Sequence, residues 1–455
     1  MKKTIILLII TILAVSMIVF IIAGCKTQSG AETTAAETTA AETTAAEEGK
    51  PISINMWTIS GAENNWFQEM TKKYSEEHPN ITFNITVQES QNLKDITASA
   101  LSGGAEDIDL LWFWGNTDGF NLAENGLLLD LTSYFDSRGW GEQQYPAAKS
   151  SLVALDGKNY FLSTDFVAYP FMYYNKKILK EANAEVPNTL NDIFVMSEKI
   201  KSAGYDAWSV GNKDKWTIRQ IGEYLSFRYF TPEKYEILRN WKNLSNDDKK
   251  NNLELFRGEE MLNIFKFLEK MAKEGVFIED ANVLGDNDAL ARFTESKAAI
   301  YSSGSWAVGA LREGVKDFEW DYFLMPEFEN RTTCPANFAN AICVPAKISE
   351  EKLPAVLEFM DTTLKKEYAI LSFNSGLITS SLNLTADDIA QVADPTLSKL
   401  ISDINNFGGE LTFWSNWPLD IALLSDDVTA EVVAGTMTPE EAVEALYNLA
   451  SEGIK

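Results

Sequence analysis

Between residues 52 and 113 the apolar positions switch repeatedly between two periods, and that alternation constrains the fold more than any other feature of the chain. Ile52, Ile54 and Met56 alternate as one face of a strand does, and the segment ends at Trp57-Thr58. Within 64–77, Trp66, Phe67, Met70 and Tyr74 recur at helical spacing. Ile81, Phe83, Ile85 and Val87 alternate again, and Leu93, Ile96, Ala100 and Leu101 form a second helical stripe closed by Gly103-Gly104. Residues 107–113 then read as a buried strand. Strands separated by helices need crossover connections, so the expectation is an α/β fold with a mostly parallel sheet and helices on both faces. Ligands of such sheets lie beyond the carboxyl ends of the strands, which puts 58–64 and 114–118 at the expected binding edge. The 455 residues exceed what one core holds. From 176 onward, amphipathic patterns at 189–202, 219–230, 259–274, 354–373 and 439–451, with strand-like pieces at 160–163, 169–174 and 298–301, predict a second α/β lobe rich in helices.

The amino terminus belongs to neither lobe. Lys2 and Lys3 precede an almost unbroken apolar run over 4–22, long enough to span a bilayer, but small residues placed directly before a cysteine favour a cleaved export signal. Ile22-Ala23-Gly24-Cys25 resembles the lipobox of bacterial lipoproteins, in which the cysteine, here Cys25, is acylated and becomes the first residue of the mature protein. The expectation is a signal over 1–24 and a lipid anchor on the outer face of the cell membrane. Residues 31–46 repeat AETTA three times; with nothing to bury, 25–50 reads as a disordered acidic tether.

Charge and composition exclude several function classes. Asp plus Glu number 66 against 39 Lys plus Arg, a net charge of −27 that repels phosphates and argues against a nucleic-acid partner. The single histidine, His78, rules out a His-rich metal site, and its setting in Glu76-Glu77-His78-Pro79 reads as a solvated helix end. No GxxxxGK[ST], GxGxxG, GxSxG or HExxH motif occurs, and nothing calls for a cofactor. Asp286-Asn287-Asp288 lacks the glycine and distal glutamate of a calcium loop and reads as a polar loop capping a helix. Cys334 and Cys343 read as small buried hydrophobes in preference to a disulfide. Trp112, Trp114, Trp306, Trp414 and Trp417 stand near Gly, Ser, Asn and Asp instead of inside aliphatic runs. Aromatic faces in such places can stack on sugar rings while Asp, Asn and Glu take the hydroxyls; ordinary packing is the alternative.

The stretch Phe293-Thr294-Glu295-Ser296-Lys297-Ala298-Ala299-Ile300-Tyr301-Ser302-Ser303-Gly304-Ser305-Trp306 resembles the F-x-x-G-K-A-A-M-x-x-x-G-x-W segment of family 1 extracellular solute-binding proteins, the sugar-binding components of ABC importers related to maltose-binding protein. Ser296 stands where glycine is usual. Tyr173-Tyr174-Asn175-Lys176 resembles the family's YYNK, Ala434 to Ala442 its late A-G-x-x-[ST]-P-E-E-A helix start, and Gly376-Leu377-Ile378 its G-L-P without the proline. The likeness spans roughly 51–451 and implies two lobes joined by hinge strands, with ligand between them. It implies chain crossings near 164–168, 322–327 and 345–350. Lobe one would hold 51–164 plus 325–346, and lobe two 165–324 plus 347–455. Carried over by motif position, ligand contacts are expected at Ser60, Glu63 and Asn64 after the first strand and at Trp114, Asn116, Thr117 and Asp118 after the third. Asp165 and Tyr169 are expected beside the hinge, Asn337 and Asn340 at a crossing, and Trp216, Trp306, Trp414 and Trp417 in lobe two.

The resemblance implies a monomeric, lipid-anchored binding protein that captures a carbohydrate, by its tryptophans an oligosaccharide, and delivers it to an ABC permease. A lipid-anchored carbohydrate-active enzyme stays open; its mark would be two facing carboxylates, one with a raised pKa. A binder of a polyamine or a peptide stays open as well.

Overall fold

The computed structural model describes residues 50–454, except for 104–107, 145–147, 149–151, 155, 166, 327–333, 338, 376–379, 383, 393–397, 403–408 and 415–416. Cys25, the export signal, the AETTA tether and the Gly376-Leu377-Ile378 motif lie outside the described residues. The account below concerns the unit that begins at Glu48.

The alternating periods of 52–113 become the elements they imply. Strand β1 (Ile52–Ile59) turns Ile54, Met56 and Thr58 inward, one residue in two. The helix Ala62–Glu77 buries Trp66, Phe67, Met70 and Tyr74, and it ends at His78, whose backbone N–H reaches the Tyr74 carbonyl and whose ring stacks on Tyr74. Strand β2 (Ile81–Gln88) runs parallel to β1 from Ile52 opposite Ile81 to Ile59 opposite Gln88. The helix Ser90–Ser102 buries Leu93, Thr97 and Leu101, every fourth residue, and delivers the chain to β3 (Leu110–Trp114), parallel to β1.

The expectation of a mostly parallel sheet holds for these three strands and fails beyond them. The next strand in the sheet is β11 (Asn340–Cys343), which arrives from the far half of the chain and runs antiparallel to β3 and to β4 (Phe161–Ser163). The full order is β2-β1-β3-β11-β4. Buried on both faces, β11 is apolar throughout except at Asn340, and its Cys343 is a free thiol whose Sγ lies 3.6 Å from the Leu111 carbonyl.

A second sheet is built by β6 (Phe171–Asn175), β7 (Asp206–Ser209), β8 (Ala298–Ser303) and β9 (Trp320–Phe323), in the order β7-β8-β6-β9. Only β7 and β8 pair in parallel; β6 runs antiparallel to both its neighbours. Around it pack helices Leu190–Ser202, Trp216–Tyr229 and Glu259–Lys273 and the C-terminal pair Leu419–Ala434 and Pro439–Glu452. Between the sheets lies a ribbon of three short strands, β5 (Val167–Ala168), β10 (Cys334–Asn337) and β12 (Gly409–Leu411), in the order β12-β10-β5. β5 lies between β4 of the first sheet and β6 of the second, and β10 between β9 of the second and β11 of the first. Crossings were expected near 164–168 and 322–327.

The third expected crossing, near 345–350, does not occur there. The chain beyond β11 stays with the first sheet: Phe359 packs on Tyr74 and Phe83, the Trp66 indole N–H donates to the Tyr368 carbonyl, and Asp361 takes both Arg138 and the Trp140 indole N–H. Residues 353–374 therefore belong with the first half, because that is where their apolar face is covered. The single helix expected over 354–373 is two, Leu353–Thr362 and Lys366–Asn374; at the break the Thr362 and Thr363 hydroxyls donate back to the Phe359 and Met360 carbonyls. The return to the second half comes through β12. Among the described residues no helix is long and apolar enough to cross a membrane.

Candidate functional site

The carboxyl end of the first sheet gathers polar groups from three strands. After β1 the chain turns at Gly61, whose φ of +112° is a conformation that glycine adopts without strain, and the helix Ala62–Glu77 begins at once. Glu63 is thereby set in the first helical turn and buried against the sheet, 8% exposed. Because β11 is antiparallel, its first residue, Asn340, lies opposite Trp114, the last residue of β3. Just past β4, Thr164 and Asp165 reach the same edge. The Asn340 amide donates to Asp165 Oδ2 at 3.0 Å and to Glu63 Oε1 at 3.3 Å, and the Thr164 hydroxyl donates to Asp165 Oδ1 at 2.8 Å. One amide nitrogen thus serves two carboxylates. Burial pushes Glu63 up to about 7. Burial, and then the Glu63 charge, hold Asp165 well above the usual carboxylate range.

Other expected residues of this half have defined but different tasks. The Asn116 side chain accepts from the Asp118 N–H at 2.9 Å and so caps the helix Thr117–Glu124. Asp118 pairs with Lys94 at 3.0 Å, and the Lys94 ammonium lies over the Trp114 ring, 5.0 Å from its centroid. The Ser60 backbone N–H donates to Gln88, and the Asn64 side chain accepts from Gln68. Thr117 donates to the Trp417 carbonyl at 2.8 Å, and the neighbouring ion pair of Lys242 with Glu124, at 3.0 Å, is a further contact between the halves.

The second half contributes aromatic rings. Trp306 and Trp216 are both half-buried, with ring centroids 5.8 Å apart, and Tyr169 lies 6.1 Å from Trp306. Each stands at an element's end: Tyr169 follows β5, Trp216 opens the helix Trp216–Tyr229, and Trp306 caps the helix Ala307–Gly314. Trp414 and Trp417, expected as ligand contacts, are instead packed inside. Trp417 is 0% exposed, its indole N–H donates to the Leu238 carbonyl, and the rings of Phe256, Phe413 and Trp414 cover it. Trp414 stacks on Phe413 at 4.1 Å. Asn337 pairs through its backbone with Val167 in the ribbon, and its side chain lies outside the described residues.

The structure therefore assembles two groups from the expected set: Glu63, Asp165 and Asn340 with Trp114 beside them, and Tyr169, Trp216 and Trp306. It also adds residues that the motifs did not mark. Glu223, fully buried, pairs with Arg219, which pairs in turn with Asp426. Asp286 accepts from the Tyr301 hydroxyl at 2.8 Å and the Ser303 hydroxyl at 3.5 Å, while its neighbour Asp288 does the capping expected of that loop by accepting from the Gly285 N–H. Burial pushes Asp286 up to about 6 against the pull of those hydroxyls. The sequence marked Asp286 only as part of the polar Asp286-Asn287-Asp288 loop, seven residues before the F-x-x-x-K-A-A stretch.

Comparison with known proteins agrees with this architecture. An uncharacterised ABC transporter extracellular-binding protein of Pyrococcus horikoshii is 23% identical over 303 residues, 60% of this chain; the chain spans 64% of that relative's length. Among solved structures, a chitin oligosaccharide binding protein superposes with a TM-score of 0.73 at 20% identity, covering 89% of this chain and 99% of its own. A maltose-bound MalE3 of T. maritima does so with a TM-score of 0.70 at 14% identity, covering 88% and 99%. These two likenesses are of fold: two α/β halves as in the sugar-binding relatives of maltose-binding protein. The family model described as bacterial extracellular solute-binding protein matches residues 69–398, and the chain belongs to that family.

Proposed function

We propose that this protein captures a carbohydrate, by its aromatic groups an oligosaccharide, between its two halves and hands it to the membrane subunits of an ABC importer. The observation that carries the reading is the division of labour around the ribbon. Half-buried rings (Trp216, Trp306) with Tyr169 lie in or beside the second sheet, and a preset polar cluster (Glu63, Asn340, Asp165) lies at the edge of the first. Rings supply apolar burial to sugar C–H faces, and fixed acceptors select a hydroxyl pattern. Ligand held by both groups stabilises closure of the halves about β5, β10 and β12, and the closed form is what a permease would distinguish. The protein works as a monomer, anchored through Cys25 on the outer face of the cell membrane, with the lobes hinged at the ribbon. Neutral sugars need no bond chemistry, cofactor or metal.

A second reading has an observation of its own. Glu63 and Asp165 are two carboxylates within reach of one amide, and both are raised, as a carbohydrate-active enzyme would require of one of them. Such an enzyme also needs one partner kept ionised, and the same burial acts against ionisation of both. Melting of the protein against a panel of mono- and oligosaccharides tests both readings. A ligand at 100 times its Kd adds roughly 2.7 kcal/mol to stability, a clear shift in Tm. A shift with the sugar unchanged in the mixture supports capture; hydrolysis products support the enzyme. A shift with amines or peptides alone would replace the carbohydrate.

A further inference from the structure

Trp306 is joined to a crossing strand by the residue before it. Both main-chain polar groups of Ala168, in β5, go to Ser305: the Ser305 N–H donates to the Ala168 carbonyl at 2.9 Å, and the Ala168 N–H donates to Ser305 Oγ at 3.2 Å. Ala168 and Ser305 are both buried, so the two bonds are shielded from water. Ala168 also stands opposite Ala336 of β10, within the ribbon. The ring is set by the same turn. A Cβ built at Gly304 would fall 1.8 Å from Trp306 Cζ3, so the indole lies against the backbone there. The Gly304 carbonyl is held by the Tyr173 hydroxyl at 2.9 Å and by the Ala307 N–H at 3.1 Å. Tyr169, next to Ala168, lies 6.1 Å from Trp306. Three residues before Ala168, Asp165 is tied to the first half through the Asn340 amide at 3.0 Å. The crossing is thus anchored at both ends to residues that belong to the candidate site.

The main-chain bond from Ser305 would survive any change of its side chain, but two segments held by one hydrogen bond can turn about it. The hydroxyl supplies the second bond and removes that freedom. We propose that Ser305 is a positioning residue: its hydroxyl, as the second tie to Ala168, locks β5 to the Gly304-Ser305-Trp306 turn, so that the crossing strand and the Trp306 ring move as one body. The inference takes the ring as a ligand contact from the carbohydrate reading, whereas the tie itself does not depend on it. The ring then keeps one orientation relative to the hinge before any ligand arrives, and bending at the crossing carries Tyr169 and Trp306 together. Without the hydroxyl the ring holds its binding orientation for only part of the time, and apparent affinity falls by that fraction.

Fluorine NMR of the ligand-free protein labelled with fluorotryptophan tests this. Trp306→Phe and Trp417→Phe assign two of the resonances. Ser305→Ala should broaden or split the Trp306 line through exchange between ring orientations, and leave unchanged that of Trp417, sealed under Phe256 and Phe413. A Trp306 line as narrow as in the wild type, whatever its position, overturns the proposal. Equal broadening at Trp417 does so too, because the hydroxyl would then serve packing alone. Amide hydrogen exchange of the wild type needs no variant: Ala168, Ala307 and Val308 should open as one unit, with a common opening free energy across denaturant. Ala168 opening independently of the other two would break the argument. Quenching titrations with maltotriose and chitotriose form the ligand arm. Ser305→Ala should weaken whichever sugar binds by about tenfold, as a ring competent for about a tenth of the time would. If neither sugar binds the wild type, the carbohydrate reading loses support, while the fluorine spectra and the exchange rates still decide the role of Ser305.

Discussion

Glu63→Gln probes the buried polar cluster with a change of one atom. The amide retains an oxygen to accept from Asn340 and removes the charge that burial opposes. In the folded protein Glu63 is pushed from 4.5 up to about 7. Between those values the folded chain holds a proton that the unfolded chain has released. The contribution of Glu63 to stability is therefore complete below pH 4.5 and is lost as pH rises through 7. At 1.36 kcal/mol per pKa unit, the loss is on the order of 3 kcal/mol. Asp165 shares the Asn340 amide and is raised partly by the Glu63 charge, so the two titrate as a pair, and the variant keeps only the part of the slope that Asp165 owes to its own burial. Urea unfolding of both proteins at several pH values measures it. The difference in unfolding free energy should move in favour of Glu63→Gln by about 3 kcal/mol between pH 4 and pH 8. Parallel stability curves would mean that Glu63 is solvated or ion-paired in the folded chain, and the account of the cluster would be wrong.

The aromatic assignments separate by assay. Trp306→Ala should weaken sugar binding about tenfold or more with little change in melting, whereas Trp417→Ala should cost about 3–5 kcal/mol of stability, read by denaturant unfolding, because it empties a filled site. Gly304→Ala drives a methyl into the Trp306 ring and should reduce affinity while leaving the second sheet folded, as far-ultraviolet circular dichroism would report. Lys242→Ala breaks the pair with Glu124 between the halves; stability should change by under about 1 kcal/mol, but small-angle scattering with ligand should show less compaction at low salt than the wild type shows. Cys25→Ala should move the protein from the membrane fraction to the soluble fraction of its host, tested by fractionation and immunoblot.

Much of this architecture could be read before any coordinates, for reasons that also explain what could not. The β1-to-β3 segment was legible because each of its apolar faces is covered by an element close by in sequence, so period alone reports burial. The helices at 189–202, 259–274 and 439–451 were legible on the same ground, and each matches its observed span closely. What escaped was set by long-range covering. Strand β11 enters the first sheet between β3 and β4 from more than 170 residues away, and no local pattern states its direction. The helices at 353–374 look equally apolar whichever half they cover, and only Phe359 against Tyr74 and Asp361 against Arg138 decide it.

The tryptophans carry the same lesson for the site. Trp306 and Trp417 have similar neighbours in sequence, among Gly, Ser and Asn, yet one is a half-buried ring beside Trp216 and the other is sealed under Phe256 and Phe413. What separates them is what covers each ring. Trp417 donates its indole N–H to a backbone carbonyl of a neighbouring helix, which fixes it as core; Trp306 stands past the end of β8 with Gly304 against its ring and Trp216 and Tyr169 beside it.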